Sequence, residues 1–141
     1  RRAAWRDAGR RVVFTNGCFD ILHRGHVEYL QQARQLGDLL LVGLNTDASV
    51  QSLKSRPPVH GEQDRAAILC ALQDVDHVTL FDEPSVEPLV AQVRPEILVK
   101  GGDYRLADVV GRRIVEQSGG EVHVLCHIEG RSSTATRHRL V

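Results

Sequence analysis

The chain has 141 residues and a mass of 15.7 kDa, one domain's worth of polypeptide. Its 42% hydrophobic, 26% charged and 4% aromatic residues describe an ordinary globule and exclude a disordered polymer. Eighteen basic residues balance eighteen acidic ones, which disfavours bulk electrostatic binding to nucleic acid but not a small anion held by a few local cations.

Residues 1–10 are expected to form a leading helix or linker, with Trp5 packing it on the sheet, and residues 11–141 a single domain. Arg11 to Thr15 (RVVFT) reads as a buried strand. Gly25 to Leu36 has helical periodicity, with Val27, Leu30, Ala33 and Leu36 on one face and Gly37 as the stop. Asp38 to Asn45 (DLLLVGLN) is apolar almost throughout, as suits a parallel strand covered on both faces. Gln51 to Gly61, with Pro57-Pro58 and Gly61, reads as a loop. Glu62 to Leu72 reads as a helix that buries Ala66, Leu69, Cys70 and Leu72. His77 to Phe81 is a third strand, and Val86 to Val93 a helix ended by Pro95. Glu96 to Val99 is a fourth strand, followed by a loop from Lys100 to Asp103. Leu106 to Gln117 reads as a helix closed by Gly119-Gly120, Glu121 to Cys126 as a fifth strand, and a last short helix starts near Ser133.

Strands alternating with helices imply right-handed βαβ units. The expected fold is a doubly wound, Rossmann-like α/β domain: a five-stranded parallel sheet with helices on both faces. Such a sheet binds its ligand at the carboxyl ends of the strands, where the strand order reverses. Cys18, Cys70 and Cys126 show no Cys-x-x-Cys spacing, which argues against a disulfide framework or cysteine zinc site and for a reducing, cytoplasmic setting. No apolar run approaches the roughly 18 residues of a membrane span. Arg1 to Arg10 are too polar for a signal peptide's core. The chain contains no methionine, even at position 1, so a piece trimmed or cut from a longer polypeptide is expected.

After the first strand comes Asn16-Gly-Cys-Phe-Asp-Ile-Leu-His-Arg-Gly-His26. His23 and His26, three apart at the mouth of a helix, share a face and can address one ligand. Gly25 between them lets a bulky group approach the backbone. The helix amino terminus adds unpaired N–H donors and partial positive charge, suited to phosphate. Displacement at phosphorus needs in-line positioning and charge neutralisation and little else from a protein. A bare His-x-x-His pair is otherwise a surface or core feature, and a zinc site would need a third ligand that no nearby cysteine supplies.

This string resembles the signature of the HxGH nucleotidyltransferase superfamily, the cytidylyltransferase-like group. NGCFDILHRGHVEYLQQAR is most similar to the adenylyltransferase domains of bacterial ADP-heptose synthesis. The likeness extends over about residues 11–134, with segments in family order. After the second strand, Asn45-Thr-Asp-Ala-Ser-Val is similar to a family string, in which Asp47 either caps the next helix or touches ligand. Lys54 then stands on a loop as a cationic arm or as a solvated lysine, and Arg65 faces the pocket or the surface of its helix. Val99-Lys-Gly-Gly-Asp-Tyr resembles another family string; its glycines open the backbone to a base or ribose, and Asp103 can accept from a hydroxyl or amine. Glu129-Gly-Arg-Ser-Ser-Thr is similar to a hydroxyl-rich element that binds phosphates at a helix start.

The resemblance implies transfer of AMP from ATP to a sugar 1-phosphate, heptose 1-phosphate first, with release of pyrophosphate. His23, His26 and Lys54 are the expected catalytic residues. Asn16, Gly17, Phe19, Gly25, Lys100, Gly101, Asp103, Ser132, Ser133 and Thr134 are expected to bind nucleotide. Asp20, Asn45, Asp47 and Arg65 are expected to shape the acceptor pocket. Mg²⁺ is expected on the triphosphate, held mainly through phosphates and water rather than by protein ligands. The expected partners are small molecules, with neither nucleic acid nor membrane; a homodimer and a fused or separate sugar kinase domain fit the resemblance. Two rivals remain at this point: a CTP-dependent transferase acting on an alcohol phosphate such as glycerol 3-phosphate, and a nucleotide-binding module without turnover.

Overall fold

The computed structural model describes residues 2–102 and 105–125. A short helix α1 (Arg2–Asp7) leads into strand β1 (Val12–Gly17), helix α2 (Arg24–Arg34) and strand β2 (Leu39–Asn45). Helices α3 (Asp47–Lys54) and α4 (Glu62–Cys70) precede β3 (His77–Phe81); α5 (Glu87–Val93) precedes β4 (Ile97–Gly101). A 3-10 turn (Leu106–Asp108) and α6 (Arg112–Gln117) lead to β5 (Glu121–Leu125). The five strands form one sheet in the order β3-β2-β1-β4-β5, parallel at every pairing. The chain winds outward from β1 through β2 to β3, then returns to the other side of β1 for β4 and β5. The order therefore reverses between β1 and β4, and a ligand belongs at the carboxyl ends of those two strands.

Alternation along β1 builds the two layers, because successive side chains point to opposite faces. Val12 and Phe14 join Leu41, Phe81, Val90, Leu98 and Val115 in one buried cluster, beneath α5 and α6. Val13 joins Leu30, Ala33, Leu40, Val42, Leu69 and Ile97 in the other, beneath α2 and α4. β2 is buried at all seven positions, so a run such as LLLVGLN has no polar face to show. Trp5 packs α1 against the first cluster and meets the His77 ring edge-on at 5.9 Å. Arg2 fastens the same helix by donating from Nε to the carbonyl of Val93 at 2.6 Å and from Nη2 to that of Arg94 at 2.8 Å, which satisfies carbonyls at the end of α5.

Several boundaries differ from the sequence expectation, each for a local reason. The expected loop from Gln51 begins four residues late, because Thr46 caps α3 by accepting from the amide of Ser49 and the helix runs on to Lys54. The expected helix over residues 106–117 is broken in two by Gly111, whose φ of +91° cannot continue a helix. β4 extends through Lys100 and Gly101, which pair with Val124 and Leu125, so these two residues are strand and not loop. Val27 and Cys70 are exposed; the buried residues of their helices are Leu30 and Ala33 in α2 and Arg65 and Leu69 in α4. The last helix, near Ser133, lies outside the described residues.

Gly43 is the one interruption of the apolar β2 run, and it is there for the opposite neighbour. A Cβ at this position would lie 2.8 Å from Phe14 Cζ and 3.2 Å from Leu89 Cδ2. Gly43→Ala is expected to destabilise the domain by about 1–3 kcal/mol through overpacking. Urea unfolding checks this: the midpoint should fall with an unchanged m-value.

Candidate active site

The first strand ends in a turn that is held under strain. Phe19 has φ +45°, a left-handed conformation rarely adopted by a bulky residue. It folds the aromatic ring back over Gly17, where an added Cβ would meet Phe19 Cε2 at 3.0 Å. The ring also meets His26 edge-on, with centroids 5.7 Å apart. Gly17 is thus a glycine because Phe19 packs on it, whatever else approaches.

His23 is the N-cap of α2 and His26 its third residue, and the two form a reciprocal capping box. His23 Nδ1 accepts from the amide of Gly25 at 3.0 Å, and His26 Nδ1 accepts from the amide of His23 at 3.2 Å. The ring centroids are 4.1 Å apart. A nitrogen that accepts an N–H carries no proton, so each neutral ring holds its proton on Nε2. The capping bonds therefore fix the tautomer, and both rings offer an Nε2–H donor beside a helix amino terminus. Serine or asparagine would cap the helix equally well; the choice of imidazole is not explained by capping alone.

A cavity of 670 Å³ opens at the carboxyl ends of the strands. One side is formed by Asn16 and Gly17 of β1, the turn through Ile21, and His26. Asn45, Leu53, Lys54, Arg56 and Val59 close a second side. Leu98, Val99 and Lys100 of β4, Phe81 and the Pro84–Val86 loop, and Asp108–Val110 complete it. Its volume lies within the range typical of small-molecule sites. Lys54 is the last residue of α3, not a loop residue as expected, so the cation stands on a helix end fixed by Ser55 in the left-handed conformation at φ +57°. Burial holds the Lys100 ammonium below its ordinary pKa, with the Cys18 sulfur opposing that shift.

Arg65 and Asp47 occupy a different place from the one expected. Neither is on the cavity wall. Arg65 is 1% exposed, not a surface helix residue, and its guanidinium ties four segments together. Nη1 donates to the carbonyls of Cys18 and Asn45, both at 2.8 Å; Nε donates to that of His60 at 2.9 Å; Nη2 donates to Asp47 Oδ1 at 2.8 Å. Asp47 therefore serves Arg65, and the helix cap falls one residue earlier, to Thr46. Asp20 pins the same region. Its two oxygens accept the amides of Val59 and His60 at 2.8 and 2.9 Å. Burial opposes ionisation of this carboxyl, but the two amides, with Arg65 and His60, outweigh it and hold the pKa below its ordinary value. Asn45 is buried on the cavity wall, its Nδ2 donating to Ser49 Oγ at 2.9 Å.

Gly101 is occupied from behind. A Cβ there would lie 2.9 Å from the Tyr29 ring, which is held by a 2.7 Å bond between its hydroxyl and that of Thr15. Burial pushes the Tyr29 hydroxyl up to about 12, against the smaller opposing effect of that bond. Asp103, Ser132, Ser133 and Thr134 lie outside the described residues. An expectation confined to the loops after strands one, two, four and five misses the loop after β3. Phe81, Pro84, Ser85 and Val86 reach the cavity because β3 is parallel to its neighbours and ends at the same edge. Asp108, Val109 and Val110 were likewise hidden inside an expected helix.

A doubly wound sheet with a phosphate-suited helix terminus at its switch point defines an α/β nucleotide-handling domain. The chain belongs to the cytidylyltransferase-like family, whose model matches residues 14–139. It is 54% identical over 133 residues to the bifunctional protein HldE of Geobacter sulfurreducens, covering 94% of this chain and 27% of that protein. The HldE of Pelobacter propionicus is 53% identical over 134 residues. The chain thus spans about a quarter of the length of these relatives. Among solved structures it is similar to the lipopolysaccharide core biosynthesis protein of Thermoplasma volcanium, with a TM-score of 0.71 and 30% identity over 85% of this chain and 98% of that one. Pantoate-beta-alanine ligase from Francisella tularensis, at 15% identity and a TM-score of 0.61 over 99% of this chain and 70% of that one, shares the fold. Among the described residues no helix is long and apolar enough to cross a membrane.

Two outcomes test how this region is held. Arg65→Met removes a buried cation from its carbonyl cage and is expected to cost about 3–5 kcal/mol, read by urea unfolding. Asp20 has its folded pKa below the unfolded value of about 3.9. Its contribution is therefore complete above that value and is lost as pH falls through the lowered folded pKa. The stability gap between wild type and Asp20→Asn should be widest at neutral pH and close below about pH 4.

Proposed function

We propose that this chain catalyses nucleotidyl transfer from ATP to heptose 1-phosphate, forming an ADP-sugar and pyrophosphate. The observation that carries the reading is His26 on the wall of the cavity at the switch point, with the His23 ring 4.1 Å from it between centroids and both rings capping α2 with their tautomers fixed. The likeness of NGCFDILHRGH and VKGGDY to the adenylyltransferase domains of ADP-heptose synthesis supports the choice of nucleotide and acceptor. The relatives named HldE and the similar lipopolysaccharide core biosynthesis protein are consistent with it.

An oxygen of the acceptor phosphate attacks the α-phosphorus, the bond to the β-phosphate bridging oxygen breaks, and the charge leaves on pyrophosphate. The attacking phosphate is already anionic, so the step needs no general base and no enzyme nucleophile. What remains is positioning and charge stabilisation. His26 and His23 supply Nε2–H donors to the oxygens that gain charge, and the amino end of α2 adds its partial positive charge. Lys54 and Lys100 complement the polyphosphate, and the resemblance adds the hydroxyls of Ser132, Ser133 and Thr134 to that role. Asn16 and Asn45 shape the pocket wall. Asp20 and Arg65 act one step removed, by holding the 55–61 loop in place.

Among the described residues no three His, Cys, Asp or Glu side chains are grouped to hold a metal ion. Mg²⁺ would be held through the oxygens of the triphosphate and water, and would neutralise charge there. A sugar kinase elsewhere in the same or a separate polypeptide would supply the acceptor.

Pyrophosphate release with ATP and heptose 1-phosphate is the expected activity; release only with CTP and glycerol 3-phosphate would replace this reading with the cytidylyltransferase one. ATP binding without release across both acceptors would leave a binding module. His26→Ala is expected to lower kcat by about 10²–10³ with the fold retained. Near-wild-type turnover would remove the histidine from the mechanism.

A further inference from the structure

On the proposed reading the cavity serves phosphates, yet among the described residues two carboxylates stand on its wall, Asp20 and Asp108. Asp20 is accounted for, because both its oxygens accept backbone amides. Asp108 is not. It ends the 3-10 turn, whose main chain is closed by bonds from the amide of Asp108 to the carbonyl of Arg105 at 2.9 Å and from Val109 to Leu106 at 3.3 Å. Val109, the next residue, is buried with Phe81, Val86 and Leu98, which anchors the turn to the sheet face opposite α2. Asp108 Oδ2 accepts from Arg105 Nε at 3.1 Å in an exposed pair. Among the described residues Oδ1 has no hydrogen-bond partner.

A carboxylate beside a polyphosphate is repelled, whereas one beside a polyol is a strong hydrogen-bond acceptor. The cationic and donor groups His26, Lys54, Arg56 and Lys100 suit the phosphates. The wall formed by Phe81, Val86 and Val109 offers no charge, and Asp108 is its acidic edge. We infer that Asp108 determines acceptor specificity by accepting hydrogen bonds from the hydroxyls of the sugar body of a polyhydroxylated sugar phosphate. This rests on the proposed sugar 1-phosphate transfer and adds the residue that selects for it. Asp108 takes no part in bond making, so its effect falls on acceptor binding and not on the attack itself.

Steady-state kinetics of the intact protein with ATP and heptose 1-phosphate test the assignment. Asp108→Asn is expected to raise the KM for the sugar phosphate about 10–100-fold, the range for a hydrogen bond to a charged group, with kcat and the KM for ATP little changed. Arg105→Ala, which removes the ion pair and leaves the carboxylate, is expected to keep the acceptor KM within about twofold, because an exposed pair contributes little. With glycerol 3-phosphate, which presents fewer hydroxyls, the difference between wild type and Asp108→Asn should shrink. An unchanged acceptor KM in Asp108→Asn overturns the inference alone. A matching rise in Arg105→Ala overturns it in favour of turn geometry, and a rise in the KM for ATP overturns it in favour of ribose or adenine contact. A wild-type protein inert with ATP and sugar 1-phosphates overturns the transfer reaction and this inference together.

Discussion

The guanidinium of Arg65 is the point on which the site's geometry depends. It is a buried cation whose partners are three carbonyls and one carboxylate, drawn from the turn after β1, the end of β2, the start of α3 and the loop before α4. A charge removed from water is tolerated only when it is hydrogen-bonded in this way. The planar fork of arginine reaches several acceptors in fixed directions, which a lysine cannot do. The consequence is geometric: the segment bearing the histidines, the helix bearing Lys54 and the loop bearing Arg56 and Val59 are registered against one another by a single side chain. Asp20 reinforces the same junction from the cavity side, with its carboxylate gripping two consecutive amides of that loop.

The histidine pair is likewise assembled from ordinary backbone needs. A helix leaves its first amides without partners, and something must accept from them. Here the acceptors are the Nδ1 atoms of His23 and His26, so satisfying the helix also sets the tautomer of both rings. Phe19, strained into the left-handed region, presses its ring against His26 and over Gly17. Strain of this kind costs about 1–3 kcal/mol and persists only where surrounding contacts enforce it. The stable parallel sheet beneath, buried on both faces, supplies that enforcement.

Topology decides what shares the cavity. Because all five strands run parallel, the loop after β3 emerges at the same edge as the turns after β1 and β4. Phe81, Ser85 and Val86 thereby meet Lys100 and Asp108 across a space whose walls differ in character. One part is rich in cations and N–H donors, the other apolar with a carboxylate at its edge. That division suits two ligands that share phosphate chemistry but differ in the body attached to it.

The alternation of apolar runs with helical stretches was enough to specify a parallel doubly wound sheet, since continuous apolar strands can be covered only by helices on both faces. The histidine spacing after the first strand was enough to place two imidazoles at a helix start, because that juxtaposition is local and does not depend on the rest of the fold. Other features could be decided only in three dimensions. Lys54 looked like a loop cation because Pro57-Pro58 dominates its neighbourhood, yet Thr46 starts a helix that carries it to a fixed position. Arg65 looked like a pocket or surface residue because sequence reports its charge and not its burial; its partners lie up to 47 residues away. Gly101 reads as opening the backbone to a base or ribose and Gly17 as a nucleotide contact, but sequence does not report that each, like Gly43, is also met by an aromatic ring from elsewhere in the chain or the turn. Local periodicity records which face of an element is apolar, but long-range contacts choose which polar side chain is buried and which carboxylate is left with an acceptor to offer.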